Sequence, residues 1–98
     1  MIEINGYKVT WNEEKNRSNL KKHGVTFNEA ATVFNDDDAL YRFDEQHSDE
    51  EERFILLGKS EYATLLTVCH CYRNGETIIR IISARKASRE ELLDYARR

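Results

Sequence analysis

Three features of this chain point to an α+β fold, a small, mostly antiparallel sheet with helices packed on one face. Asn5-Gly6 and Asn74-Gly75 each sit between strand-like runs, and Asn-Gly tolerates the two positive φ angles of a type I′ hairpin turn. Three stretches open on a polar capping residue and continue at helical spacing. Finally, Thr77 to Lys86 sets cations within and just after an apolar, β-branched run. At 98 residues the chain is expected to form one domain, 1–98, being too short for a second core.

The elements follow in order. Pairing across Asn5-Gly6 matches Ile4 with Tyr7, Glu3 with Lys8 and Ile2 with Val9, gathering apolar residues on one face and opposing unlike charges on the other. Asn12 is suited to N-cap a helix over residues 13–23, and Gly24 to end it. Its apolar stripe is thin, with Leu20 beside Asn16, Asn19 and His23, so the helix should cover the core from an edge. Lys21, Lys22 and His23 complement the helix dipole, and Lys22 is also a candidate RNA contact.

Thr26 and Glu29 have the spacing of a capping box for a second helix reaching about Asn35, with Phe27, Ala30, Ala31 and Phe34 as its packing stripe. A strand over residues 39–43, an acidic connection over 44–52 and a strand over 53–57 ending at Gly58 come next. A two-residue turn at Asn74-Gly75 would pair Arg73 with Glu76, Cys71 with Ile78, Cys69 with Arg80 and Thr67 with Ile82. Leu66, Val68, His70, Tyr72, Ile79, Ile81 and Ser83 then share the face that helices should cover. Thr67, Cys69, Cys71, Arg73, Glu76 and Arg80 share the more open one. Ser88 and Glu91 form a second capping box, and Arg85, Lys86 and Arg89 around it suit an anion.

Net charge is −3, but the distribution is uneven. Residues 36–52 hold nine acids against one base, Arg42, whereas residues 72–98 hold seven bases against four acids. Such segregation allows a cationic face on an acidic chain; solvated loops of opposite sign are the alternative. No run reaches the ~20 apolar residues that span a bilayer, and no signal peptide is evident, so a cytoplasmic protein without membrane contact is expected. Cys69 and Cys71 project to one side of a strand, poorly placed to bridge each other, and lack zinc-site spacing. No metal or cofactor is expected.

There is no P-loop, GxGxxG or GxSxG, which removes the sequence support for nucleotide hydrolysis, dinucleotide redox chemistry and hydrolase triads. The remaining inventory favours phosphate. An arginine inside an apolar strand needs a carboxylate partner, such as Glu76 for Arg80, or an external anion. Metal-free RNA cleavage needs an activated 2′-oxygen, in-line geometry, charge stabilisation at phosphorus and a proton for the leaving oxygen. Arg53, Arg80, Arg85 and Lys86 could supply charge, and His47 and Glu52 could move protons. Each also has a bland reading as a solvated or ion-paired side chain.

These residues carry a resemblance. The chain resembles the BrnT family of toxins from bacterial type II toxin–antitoxin pairs, through Lys22-His23-Gly24-Val25-Thr26-Phe27-Asn28-Glu29-Ala30, then His47-Ser48 with Glu51-Glu52-Arg53-Phe54, then Ile79-Arg80-Ile81-Ile82-Ser83-Ala84-Arg85-Lys86-Ala87-Ser88. The resemblance implies a RelE-like ribonuclease fold, RNA cleavage that blocks translation, and neutralisation by a BrnA-type antitoxin, with DNA contacted only through that partner. It marks Arg53, Arg80, Ser83, Arg85 and Lys86 as family positions. Catalytic candidates are thus Arg53, Arg80, Arg85, Lys86, His47 and Glu52, with Lys22, Ser83 and Arg89 as RNA contacts. Arg85 and Lys86 also fall where an antitoxin would cover cationic surface. The rival expectation is a non-catalytic module that docks an antitoxin and co-represses its own operon.

Overall fold

In the computed structural model, which describes residues 1–98, the chain folds around one six-stranded sheet. Its strands are β1 (Ile2–Ile4), β2 (Tyr7–Thr10), β3 (Leu40–Phe43), β4 (Phe54–Lys59), β5 (Leu65–Arg73) and β6 (Ile78–Lys86), in the order β1-β2-β6-β5-β4-β3. Helices α1 (Glu13–His23), α2 (Phe27–Ala31) and α3 (Arg89–Arg97) complete it, with short 3₁₀ turns at Thr32–Asn35 and Glu45–His47. All neighbours are antiparallel except β2 and β6, which run parallel.

The first hairpin has the expected register, with Asn5 at φ 55° and Gly6 at φ 84°. The last does not. Its loop spans Asn74–Thr77, with Asn74, Gly75 and Glu76 all at positive φ, and Arg73 therefore pairs with Ile78 and Cys71 with Arg80. A shift of two residues keeps every side chain on its expected face. A β-bulge then changes the outcome: His70 pairs with Ile81 but Cys69 with Ser83, leaving Ile82 as the extra residue. Ser83, expected under the helices, is turned onto the open face together with Arg85, while Ala84 is buried.

The main core lies between one sheet face and α1–α2. Val9, Leu56, Leu66, Val68, Ile79, Ile81 and Ala84 pack against Val25, Phe27, Ala30, Ala31 and Val33. Burying a side chain such as Phe27 contributes about 1.5–3 kcal/mol. Leu20 takes no part and is 47% exposed. Amides anchor α1 instead: Asn19 donates to the carbonyls of Val25 (2.9 Å) and Ala84 (2.8 Å) and accepts from the Ala84 N–H (3.1 Å), while Asn16 accepts from the Phe27 N–H.

Thr26 caps α2 as expected, but Glu29 turns away and accepts from the Ser60 hydroxyl. The expectation of helices on one face holds for α1 and α2; α3 packs over a corner of the other. There Tyr95 meets Leu57 and Leu65, beside Leu40 and Ala87, and its hydroxyl donates to Asp36. The Ser88–Glu91 capping box turns the chain sharply after β6 and sends α3 back across β4.

Candidate active site

An open groove of about 610 Å³ lies on the sheet face away from α1 and α2. Alternation along the strands builds it. On β3, Tyr41 and Phe43 project toward the aromatic rings of Phe54 and His70, so Arg42 faces the groove, as do Ile55 on β4 and Cys69 on β5. Ser83 and Arg85 join them from β6 because of the bulge. Arg53, Asp44, Glu45, Gln46 and His47 close one end.

Of the candidates read from sequence, the groove gathers Arg53, Arg85, His47 and Ser83. Arg80 lies on the same face, opposite Cys71, half-buried and without an ion pair; Glu76 is not its partner. Glu52, Lys86 and Arg89 are exposed and outside the groove lining, and Lys22 sits on the exposed surface of α1. The acidic run is not uniformly solvated. Asp44 is 8% exposed, and Asp36 accepts from the Lys59 and Asp38 N–H groups and from the Tyr95 hydroxyl.

The anion expected at Ser88 is internal. The Glu91 carboxylate takes both ends of the Arg85 guanidinium (2.7 and 3.1 Å), the Ser88 N–H (2.8 Å) and the Thr67 hydroxyl (2.9 Å). Partial burial pushes Glu91 up, but those hydrogen bonds outweigh it and bring the carboxyl down to about 2. Arg85 is thereby held rigid at the groove and partly neutralised. His47 Nδ1 lies 2.9 Å from Asp44 Oδ2 at the other end. Burial raises the thiols of Cys69 and Cys71, so both stay protonated at neutral pH.

Sequence reasoning missed Arg42, Asp44 and Glu91. Strand parity places Arg42 opposite in sense to its aromatic neighbours, a signal legible once β3 is accepted. Glu91 was assigned to capping alone, and its hold on Arg85 depends on the bulge that aims Arg85 outward.

Three guanidinium groups, an imidazole and a hydroxyl thus converge on one open sheet face, a cationic surface whose chemistry suits a phosphate. The model of the ribonuclease toxin BrnT, of type II toxin–antitoxin systems, matches residues 11–91, and the chain belongs to this family. The Brucella abortus ribonuclease toxin BrnT, known from a crystal structure, has a similar fold: TM-score 0.61, 24% sequence identity, covering 85% of this chain and 99% of that one. No curated protein matches the chain.

Proposed function

We propose that this chain is an endoribonuclease toxin that cleaves RNA by metal-independent transesterification and so blocks translation, held in check by a BrnA-type antitoxin. One observation carries the reading: Arg42, Arg53 and Arg85 converge with His47 and Ser83 on a single groove open to solvent. A guanidinium fork matches two phosphate oxygens and keeps its charge, so Arg42 and Arg53, neither of them ion-paired, favour the scissile phosphate and the extra negative charge of its phosphorane-like transition state, while Arg85, already paired with Glu91, adds the remainder of its field. Arg80, one strand pair along the same face and free of carboxylates, extends the cationic track along the RNA backbone.

In the proposed step His47 takes the 2′-hydroxyl proton as the O2′–P bond forms. The P–O5′ bond breaks, and the leaving oxygen is protonated by water in the open groove. The products are a 2′,3′-cyclic phosphate and a 5′-hydroxyl. No helix is long and apolar enough to cross a membrane.

Purified, partner-free protein should cleave labelled RNA with chelator in excess. Arg53→Ala should slow cleavage by ~10²-fold, the usual effect of removing one preorganised transition-state donor. Arg80→Ala should weaken RNA binding more than it slows the bound complex. A folded wild-type chain without cleavage would favour the rival reading, a docking module acting only through its antitoxin.

A further inference from the structure

Asp44 is a buried carboxylate with an unusual choice of partner. Arg42, Arg53 and Arg85 line the groove it borders, yet it forms no ion pair with any of them, and its single side-chain partner is the imidazole of His47. Nor does the carboxylate cap the following turn, Glu45–His47, where no side-chain cap bond is made. Its backbone is held from both sides: the Asp44 N–H donates to the Arg53 carbonyl (2.9 Å), and the Asp44 carbonyl accepts from the Ser48 hydroxyl (2.5 Å). The 3₁₀ turn then brings residue 47 back over residue 44.

From this geometry we infer that Asp44 is the positioning residue of the cleavage reaction, fixing the ring and tautomer of His47; the inference rests on the function proposed above. A carboxylate can only accept, so the proton of neutral His47 must sit on Nδ1, which leaves the Nε2 lone pair free. The side chain of His47 is 62% exposed, and Nε2 makes no hydrogen bond to the protein, which leaves that lone pair open to the groove. When Nε2 takes the 2′-hydroxyl proton the ring becomes cationic. Asp44 then faces a positive charge at 2.9 Å, opposing the repulsion that Arg42, Arg53 and Arg85 exert across the groove, with Glu45 as the other acid there. An asparagine at position 44 can donate its amide N–H to Nδ1 and reverse the tautomer, which removes the base without removing the ring.

The test is a double-mutant cycle in single-turnover RNA cleavage. Asp44→Asn should slow cleavage by ~10²-fold, as expected for loss of a positioned general base, while affinity for a 2′-deoxy analogue stays within about threefold. In a His47→Ala background the same substitution should do nothing more. An equal loss in that background, or full activity of Asp44→Asn, overturns the inference. Should Asp44→Asn fail to fold, ¹⁵N–¹H correlation of the wild-type His47 ring decides: an Nδ1-protonated neutral tautomer supports the inference and an Nε2-protonated one sinks it. An inactive wild type would instead sink the cleavage reading itself.

Discussion

His70 and Glu91 both set acid stability, in different pH windows. The His70 ring is fully buried, edge-on to Phe34 at 4.9 Å; Nδ1 reaches the Val68 carbonyl and Nε2 has no partner. Burial lowers its pKa from 6.5 to about 4, against the opposing pull of that carbonyl. The fold thus favours neutral His70, so its contribution is intact above pH 6.5 and is lost as pH falls through 4. His70→Phe keeps the ring contacts and removes the orphan nitrogen; denaturant melts should then lose about 3 kcal/mol less between those pH values. Glu91, depressed to about 2, contributes above pH 4.5, and that contribution disappears as pH falls through 2. With Arg85 44% exposed, solvent screening reduces its worth to about 1–2 kcal/mol, and Glu91→Gln should flatten the lower window only.

The bulge in β6 depends on α1. Beyond Arg80 the parallel partner β2 has ended, so the outer edge of β6 would be left with unpaired backbone groups. The Asn19 side chain supplies both missing bonds to Ala84, acting as a one-residue strand beside the bulge that aims Ser83 and Arg85 into the groove. Asn19→Ala should cost about 2–4 kcal/mol in chemical denaturation, because buried backbone groups lose their partners. RNA cleavage by the folded fraction should fall with it as Arg85 loses its aim. Gly58, expected to end β4, lies inside it; a Cβ there would come within 2.9 Å of both Ala39 Cβ and Val33 Cγ1. Gly58→Ala should destabilise by about 1–3 kcal/mol through overpacking, with a lowered Tm as the measurement.

The net charge of −3 conceals two surfaces. Arginines line one groove, while Glu51, Glu52 and Glu76 surround Phe54 and Tyr72 elsewhere. RNA affinity should therefore fall steeply with added salt despite the acidic average. An antitoxin that neutralises the chain is expected to cover the cationic surface. Replacing Arg85 and Lys86 together by glutamine should then weaken the complex at least tenfold at low salt, and less at high salt, by calorimetry. Equal affinity in both forms would place the antitoxin elsewhere.

Much of the architecture was readable from local chemistry. The Asn5-Gly6 turn, the caps at Asn12, Thr26 and Ser88, and the stop at Gly24 act within a few residues, so their stereochemistry is written in the neighbouring side chains. The Arg-bearing block at residues 79–88 likewise marked the family and one wall of the groove. The parallel β2–β6 pair, the bulge at Ile82, the placement of α3 and the hold of Glu91 on Thr67 and Arg85 are different. They arise from backbone groups and charges distant in sequence satisfying one another, as Asn19 does for Ala84 across 65 residues. Local preference chose the elements, whereas long-range hydrogen bonding and packing chose which arginines face the same space.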